Sequence, residues 1–298
     1  MNKKNVSIDL LLEYLYIAHE LEPVQVRELS RVRIKNQVFF IQTKKTDFVL
    51  KIYLDESKER RANNEWEALN HLSKSFPFVK APIFYDPRPS ILPGPILMNP
   101  YIEGIELKET IGSIAYSEQN WIMLMKHVIE LMCKVHSLSY EIDTDYNKYL
   151  KRKFNMHFRT ADDFALERLG YDPCVDLYLC KRECIVPERL ATCHGDLGAH
   201  QIIMHKDFVT SIIDWEDYCL NDPALDIGYL TFSTVRDYFP DIAKVHRLIS
   251  LIKAITRLKN LEFFISERAI GTMLVEFMET TPKNRKIILD FINTLLSE

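Results

Sequence analysis

The first hundred residues combine two helical patterns of apolar positions with five strand-like runs. Residues 7–21 have helical spacing with Ser7 in the N-cap position, and residues 57–74 have the same spacing. Between these helices lie three runs rich in β-branched and aromatic residues, VQVREL, VFFIQT and FVLKIYL, and two shorter runs follow near 82–85 and 95–102. This order predicts a five-stranded antiparallel sheet with one main helix.

After Gly104 the periodicity is mainly helical. Residues 117–138 place large apolar side chains on one face of a long helix. Residues 139–188 mix Tyr, Phe and charged residues without a clear period, whereas residues 224–296 predict three or four helices and no strand. We therefore expect a mostly helical second lobe.

Composition and charge exclude several classes of protein. The 298 residues are 47% hydrophobic and 27% charged, as in soluble globular proteins, and they suffice for one large domain or two lobes. With 38 basic and 42 acidic residues the formal charge is −4, which gives no support to a nucleic-acid partner. No apolar run reaches the roughly 18 residues that cross a membrane. We therefore expect a cytoplasmic protein with no membrane partner.

The placement of glycines excludes the common phosphate-binding loops. The first glycine is Gly94, so neither a G-x-G-x-x-G nor a G-x-x-x-x-G-K-[ST] loop exists in the N-terminal part, and neither occurs later. The G-x-S-x-G elbow of hydrolases is also missing. A sheet with one helix, followed by a helical lobe, leaves a kinase-like architecture as the arrangement that fits.

Residues 193–226 carry the groups that phosphoryl transfer requires, namely a carboxylate that orients a hydroxyl and oxygen ligands for a metal. Asp196 lies in an H-G-D turn, Gln201 follows five residues later, and Asp214 ends a short apolar run. A hairpin near 205–208 would place Gln201 and Asp214 on adjacent strands. That spacing makes them a candidate pair of metal ligands.

The joint pattern resembles the aminoglycoside phosphotransferase and choline kinase superfamily, whose members are small-molecule relatives of protein kinases. The resemblance is most specific over residues 193–228 and moderate at V-L-K-I, residues 49–52, and L-M-N-P-Y-I-E-G, residues 97–104. It implies an α+β, bilobal protein-kinase-like fold. Its N-terminal lobe would hold a five-stranded antiparallel sheet with one main helix, and its larger C-terminal lobe would be mostly helical.

The same resemblance implies a division of the chain. Residues 1–98 would form the N-terminal nucleotide-binding lobe, residues 99–104 the hinge, and residues 105–298 the helical lobe. That lobe would include the catalytic segment 193–228 and a substrate region at 139–188.

The resemblance also implies roles for single residues. Asp196 would be the catalytic base, and Gln201 and Asp214 would hold Mg²⁺. Lys51 would hold the α- and β-phosphates of ATP or GTP, and Glu65 would pair with Lys51.

Two of these assignments depend on a choice between neighbouring residues. Glu67 competes with Glu65, but it lies about 200° around the helix, so only one of them can face the sheet. In the hinge, the carbonyl of Asn99 and the N–H of Tyr101 are expected to bind the nucleotide base, because Pro100 between them has no N–H.

Three further residues are predicted to be structural, and for a fourth, Asp226, a structural and a chemical role are both open. Asp222 would cap a helix that has Pro223 at its first position. Asp226 would brace the catalytic turn or share in the chemistry. His194 would organise the turn, and His136 would lie in the core.

The chain departs from the superfamily at two places. The loop between the first two strands has no glycine, so Ser30 and the side chains of Arg31, Arg33 and Lys35 are expected to contact phosphate in place of backbone N–H groups. The alternative is that these arginines alternate with Lys35 on a solvated strand face. At position 201, Gln replaces the usual Asn or His and adds a methylene to a site where Mg²⁺ tolerates little change.

The sequence therefore predicts a Mg²⁺-dependent phosphotransferase that moves the γ-phosphate of ATP or GTP to a hydroxyl of a small molecule, such as an aminoglycoside or another antibiotic. Glu216 and Asp217 would attract a cationic acceptor, unless they are solvated loop residues. The alternative function is a catalytically weak, nucleotide-binding interaction module. A protein kinase fits less well because the H-R-D, D-F-G and A-P-E strings are missing. A monomer and a dimer are both compatible with the sequence.

Overall fold

The computed structural model of the chain describes residues 6–29, 36–111, 117–138, 173–206, 208–236, 241–275 and 282–297. The predicted phosphate loop, with Ser30, Arg31 and Arg33, lies outside the described residues, and so does the larger part of the predicted substrate region. The chain forms two compact units. The first comprises Met1–Ile105 and Ile202–Tyr218, and the second comprises Glu106–Gln201 and Cys219–Glu298.

The first unit contains the predicted sheet and helices. Its elements are α1 (Ile8–His19), β1 (Gln25–Glu28), β2 (Asn36–Gln42), β3 (Asp47–Tyr53), α2 (Lys58–Leu72), β4 (Phe84–Asp86), β5 (Ile96–Pro100), β8 (Ile202–His205) and β9 (Phe208–Ile212). The five strands β1 to β5 pair antiparallel in the order β1–β2–β3–β5–β4. The prediction of a five-stranded antiparallel sheet is therefore confirmed.

The register of the sheet fixes the position of Lys51. Lys51 on β3 lies opposite Val38 on β2 and Leu97 on β5. Residues directly opposite each other in a sheet project from the same face, so these three side chains share one face. On the other face, alternate residues of β2 and β3 such as Phe39 and Leu50 are fully buried.

Helix α1 covers that apolar face. Leu11, Tyr14 and Leu15 of α1 are buried in one cluster with Phe39 and Leu50. The helix begins where expected, because the Ser7 side chain accepts a hydrogen bond from Leu10 N–H. The N-terminal helix therefore completes the core of the first unit.

The hairpin of β8 and β9 belongs to the first unit, although the sequence-based division placed it in the helical lobe. Ile202 pairs with Ile212, and His205 pairs with Phe208, as the predicted hairpin requires. Ile212 N–H and the Ser211 hydroxyl both donate to the carbonyl of Phe78, at 3.0 and 2.9 Å. These bonds tie the hairpin to the segment between α2 and β4.

The second unit is mostly helical, as predicted. Its elements are α3 (Leu107–Ile111), α4 (Glu118–His136), α5 (Pro173–Cys184), β7 (Ala191–Cys193), β10 (Cys219–Asn221), α6 (Ala224–Val235), α7 (Ile242–Thr256), α8 (Leu261–Val275) and α9 (Pro282–Ser297). The two-residue strand β6 (Ile105–Glu106) contains the last residue of the first segment of the first unit and the first residue of the second unit. Among the residues described after 223, four helices agree with the three or four expected. Among the described residues, no helix combines the length and the apolar character that crossing a membrane requires.

Helices α6 and α8 pack closely because of one glycine. A Cβ atom built on Gly228 of α6 would lie 2.8 Å from Phe264 Cβ and 3.0 Å from Ile265 N on α8. Real Cβ atoms almost never approach that closely. The glycine therefore sets the distance between α6 and the helix that carries Arg268.

Candidate active site

The side chain of Lys51 is the centre of a buried cluster of charges in the first unit. Its Nζ lies 2.7 Å from Glu65 Oε2 and 2.6 Å from Glu216 Oε2, and it also contacts Asp214 Oδ1. The oxygens of the three carboxylates lie within 4.8 Å of one another. The ammonium of Lys51 occupies the position among them that a cation would take.

The charges in this cluster fix the ionisation of Lys51. Burial alone would lower the pKa of Lys51, but the carboxylates of Asp214, Glu216 and Glu65 outweigh it and raise the pKa well above its ordinary value. The side chain therefore stays an ammonium throughout the physiological pH range. Its three N–H donors face the three carboxylates, so a phosphate oxygen would bind Lys51 by displacing one of them.

The choice between Glu65 and Glu67 is decided by helix α2. Glu65 is buried and bonded to Lys51 and to the Tyr53 hydroxyl. Glu67 is exposed and accepts a hydrogen bond from Asn63 at 2.8 Å on the outer face of the helix. The structure therefore brings together Lys51 and Glu65, the pair expected from the sequence.

Glu216 links Lys51 to α2 and β2. Its Oε2 accepts from Asn36 Nδ2 at 2.9 Å, and its Oε1 accepts from Arg61 Nη1 at 2.6 Å. The side chain is only 11% exposed. The expected roles of Glu216, as a contact for a cationic acceptor or as a solvated loop residue, are corrected here, because its carboxylate already binds three groups of its own unit.

Removing the charge of Glu216 should lower the stability of the protein. We expect Glu216→Gln to lower the free energy of unfolding by about 3 kcal/mol, because it breaks a buried ion pair with Arg61, which is 2% exposed. The measurement is urea unfolding, with Glu67→Gln as the matched control on the exposed face of α2. Equal unfolding midpoints for the two variants would contradict this assignment.

Asp214 has an unusual backbone conformation at the end of β9. Its φ and ψ are 69° and 51°, in the left-handed region, and it precedes a short 3₁₀ turn over Trp215–Asp217. A non-glycine residue rarely adopts this conformation, and such residues concentrate at functional sites. Trp215 holds the turn, since it is fully buried and its Nε1–H donates to Ile212 O at 2.9 Å.

At the end of β5, the backbone groups that were expected to bind the nucleotide base face strand β3 instead. Tyr53 N–H donates to Pro95 O at 3.0 Å, and Tyr101 N–H donates to Asp47 O at 3.0 Å. Bonded pairs recur at every second residue of an antiparallel ladder, so the backbone of Asn99 also faces β3. The Asn99 carbonyl and the Tyr101 N–H, which were assigned to the nucleotide base, therefore pair within the sheet.

The backbone that faces away from β3 belongs to the residues between these. Met98 O accepts from Ile83 N–H at 2.8 Å on the β4 side, and the β4 pairing ends at Met98. Alternation along the strand places the Pro100 carbonyl on that same side, beyond the last β4 pair. The backbone groups at the end of β5 that face away from β3 are therefore one residue away from those assigned from the sequence.

In the second unit, the H-G-D turn follows β7 and is held by Asp226. Gly195 has a φ of 86°, which a residue with a side chain rarely adopts. Asp226 Oδ1 accepts from Gly195 N–H, and its Oδ2 accepts from His194 N–H, each at 2.9 Å. His136 Nε2–H donates to the same Oδ2 at 2.9 Å. The predicted bracing role of Asp226 and the core position of His136 agree with these contacts.

The carboxylate of Asp226 is ionised because of these donors. Burial would raise the pKa of Asp226, but the hydrogen bond from His136 and the backbone N–H of Gly195 lower it below its ordinary value. An anion that accepts three hydrogen bonds from buried donors fixes the conformation of the turn. Asp226 is therefore a structural residue of the turn.

Two other predicted residues have structural contacts in the second unit. Asp222 Oδ1 accepts from Ala224 N–H at 2.8 Å, and its Oδ2 accepts from Glu188 N–H and Asn260 Nδ2. It therefore caps α6, which begins at Ala224. His194 is fully buried, and its Nδ1 faces the Asp196 N–H at 3.4 Å.

Gln201 ends a short 3₁₀ turn that begins two residues after Leu197. Its Oε1 accepts from Gly198 N–H at 2.6 Å, and the side chain is buried. This amide oxygen therefore already holds the backbone of the turn. An amide oxygen has two lone pairs, so one remains for a further ligand.

Asp196 is paired with an arginine from the other end of the second unit. Arg268 Nη1 lies 2.6 Å from Asp196 Oδ1, and the Asp196 side chain is 30% exposed. No local pattern in the sequence predicted this contact.

The sequence profile of the phosphotransferase enzyme family matches residues 28–247, which is most of the chain. This chain is a member of the phosphotransferase enzyme family. The match includes Lys51, Glu65, Asp196, Gln201 and Asp214. No curated protein sequence matches the chain.

Solved structures of other phosphotransferases have the same fold. A thermostable mutant of aminoglycoside phosphotransferase APH(4)-Ia, in ternary complex with AMP-PNP and hygromycin B, is 11% identical with a TM-score of 0.68 over 96% of this chain and 97% of that one. Spectinomycin phosphotransferase APH(9)-Ia with ADP and spectinomycin is 12% identical, with a TM-score of 0.62 over 99% and 98%. Choline kinase LicA from Streptococcus pneumoniae is 14% identical, with a TM-score of 0.66 over 97% and 99%. At these identities the likeness establishes the fold alone.

Arg61 and Arg268 were absent from the residues predicted from the sequence, and Glu216 was predicted there with a different role. Arg61 lies four residues before Glu65 on α2 and therefore on the same helical face, which was a usable signal. Glu216 follows Asp214 by two residues, and its burial depends on the hairpin packing. Arg268 lies 72 positions from Asp196, and only the folded chain brings them together.

Proposed function

We propose that this chain is a Mg²⁺-dependent phosphotransferase that moves the γ-phosphate of ATP or GTP to a hydroxyl of a small molecule. The observation that carries the proposal is the ion cluster of Lys51 with Glu65 and Asp214. It supplies a buried, permanently charged ammonium beside a partly exposed carboxylate. That combination suits a nucleotide's phosphates and the metal ion that accompanies them.

The base of the nucleotide would bind at the free edge of β5. The Pro100 carbonyl faces that edge, and Ile102 N–H is the next donor in the same alternation. Asn99 supports this location, because its Oδ1 is buried without a hydrogen-bond partner among the described residues. Asn99 also lies opposite Val49, on the sheet face that carries Lys51. An unpaired buried oxygen is costly unless a ligand pairs with it.

Mg²⁺ would be held mainly by Asp214. Its side chain is 35% exposed, it lies two residues after the end of β9, and its carboxylate is a ligand type that hard cations prefer. Gln201 would contribute only the lone pair that Gly198 N–H leaves free. When bound, the metal would neutralise charge on the phosphates.

The acceptor hydroxyl would be oriented by Asp196. Asp196 follows the braced H-G-D turn, and its carboxylate would take the hydroxyl proton as the phosphoryl group is transferred in line. The similar proteins of known structure include phosphotransferases with hygromycin B and spectinomycin and a choline kinase. A hydroxyl-bearing small molecule is therefore the acceptor class we propose, with aminoglycosides and amino alcohols as the first compounds to test.

One observation favours the alternative function, a catalytically weak nucleotide-binding protein. Gln201 Oε1 accepts from Gly198 N–H at 2.6 Å, so one of the two predicted metal ligands is committed to the turn. A weak second ligand would lower the affinity for Mg²⁺, because this ion requires near-ideal geometry. In that case the nucleotide would bind and transfer would be slow.

A transfer assay separates these functions. Wild-type protein is incubated with ATP or GTP, Mg²⁺ and a panel of aminoglycosides, macrolides, amino alcohols and sugars, and phosphorylated product is measured. We expect Lys51→Met to lower kcat/KM for the nucleotide by about 10²-fold, since it removes a charged phosphate contact. The control is Lys45→Met, an exposed lysine in the β2–β3 turn.

The outcomes distinguish the two functions. Nucleotide-dependent thermal stabilisation without product would favour the weak binding protein. Product formation that Lys51→Met leaves unchanged would contradict the assigned role of Lys51. Neither binding nor transfer with either nucleotide would contradict both functions.

A further inference from the structure

Arg268 projects from α8 onto the carboxylate of Asp196. Its Nη1 lies 2.6 Å from Asp196 Oδ1, and the arginine side chain is 18% exposed. The guanidinium carbon lies 4.9 Å from the centre of the Tyr229 ring, and Tyr229 is fully buried. The arginine is therefore held on one side by an aromatic face and on the other by the proposed base.

The helix that carries Arg268 is rigidly placed. Gly228 lets α6 and α8 approach until a Cβ at that position would lie 2.8 Å from Phe264 Cβ. Tyr229, which stacks on Arg268, is the next residue of α6. The guanidinium is thus positioned before any substrate arrives, which is the condition for effective electrostatic catalysis.

Burial and charge favour an ionised arginine at this position. Burial would lower the pKa of Arg268, but the Asp196 carboxylate outweighs it and raises the pKa. A guanidinium has five N–H donors in a planar fork, and the contact with Asp196 Oδ1 uses one nitrogen. Other donors of the fork remain on the partly exposed side chain.

The chemistry of transfer places an anion beside this pair. When Asp196 orients the acceptor hydroxyl, its carboxylate lies within hydrogen-bond distance of the hydroxyl oxygen. The phosphoryl group forms its new bond to that hydroxyl oxygen. The phosphoryl oxygens are negative, so they repel a neighbouring carboxylate. A cation bonded to that carboxylate is within reach of the same oxygens.

We infer that Arg268 is a further catalytic residue, which contacts the phosphoryl group in the transition state and offsets its repulsion with Asp196. This inference rests on the proposed function. The bond from phosphorus to the bridging oxygen of the nucleotide breaks, the bond to the acceptor oxygen forms, and the hydroxyl proton passes to Asp196. Arg268 exchanges no proton and forms no covalent bond.

A purely structural arginine would hold Asp196 in place without touching phosphate. Dissolved guanidinium distinguishes the two roles, because it can restore the activity of a variant without the arginine side chain in only one of them. In Arg268→Ala, dissolved guanidinium can enter the space left by the side chain and meet the transferring group. It cannot restore a helix contact that depends on the covalent side chain.

The experiment compares Arg268→Ala, Arg268→Lys and Arg268→Gln with Arg247→Gln, an arginine of α7 whose side chain is 60% exposed. Transfer to the best acceptor is measured, or hydrolysis with water as acceptor. We expect kcat to fall about 10²–10³-fold in the Ala and Gln variants, to fall less in the Lys variant, and to stay unchanged in Arg247→Gln. Millimolar guanidinium should raise kcat of Arg268→Ala about tenfold or more and leave the wild type unchanged.

Two results would overturn the inference while the proposed function stands. One is wild-type kcat in a folded Arg268→Gln variant, with folding checked by thermal unfolding. The other is a low kcat in Arg268→Ala that guanidinium does not raise while Arg268→Lys is equally low, which would mark a structural residue. A wild-type protein without transfer or hydrolysis would instead contradict the proposed function itself.

Discussion

Asp196→Asn should lower kcat by about 10²–10⁴-fold, which is the range in which a positioned general base contributes. Asn has the size and shape of Asp and can keep one oxygen toward Arg268, so the turn should remain intact. It cannot accept the hydroxyl proton at neutral pH. Because the substrate's other contacts are unchanged, we expect KM for the nucleotide to change by less than about threefold.

The measurement is steady-state transfer with the best acceptor, together with thermal unfolding of both proteins. The exposed Asp290 of α9 provides the control, and Asp290→Asn should behave as wild type. A large rise in the nucleotide KM with an unchanged kcat would show that Asp196 contributes to binding and not to the chemical step. An unfolding midpoint far below that of wild type would assign Asp196 a structural role.

Asp226→Ala should have the largest effect on stability. The carboxylate accepts hydrogen bonds from His194 N–H, Gly195 N–H and His136 Nε2–H, and all of these groups are buried. Removing the acceptor leaves three donors unpaired away from water, and each such group costs about 1–3 kcal/mol. We expect a loss of about 3–5 kcal/mol in the free energy of unfolding, together with loss of transfer activity, since the turn no longer presents Asp196.

Urea unfolding of Asp226→Ala and of the control Asp290→Ala measures this effect. The acid side of the stability curve gives a second readout. The pKa of Asp226 is lowered in the folded state, so its stabilising contribution is present above the unfolded value of about 4 and is lost as pH falls through the folded value. The free energy of unfolding of Asp226→Ala should therefore lack the decrease at acid pH that protonation of Asp226 causes in the wild type. Equal stability of both variants at neutral pH would contradict the bracing role.

The sequence predicted those parts of the fold that depend on local pattern. The strand runs and helical spacings gave the five-stranded sheet and the helices within one or two residues at most ends, because alternation and helical period are properties of single segments. The choice of Glu65 over Glu67 followed from helix geometry in the same way. These predictions needed no knowledge of what the segments pack against.

The sequence could not predict contacts set by packing over long separations. The prediction of which hinge backbone groups bind the nucleotide base was wrong by one residue. A shift of one position along β5 reverses the edge that each peptide group faces, and the loop after Pro100 gives no local signal for that shift. Glu216 was expected at the surface because its burial depends on Arg61 and Asn36. The pairing of Arg268 with Asp196 depends on the approach of α8 to α6, which Gly228 permits.

The two segments of the chain that form the first unit are synthesised at different times. Glu216 follows Arg61 by 155 positions, and the stretch Glu106–Gln201 of the other unit is made between them. At about 5–20 residues per second, Arg61 exists for roughly 8–30 s without its main partner. The first unit therefore cannot form the Arg61–Glu216 ion pair until the stretch Glu106–Gln201 of the second unit has been synthesised.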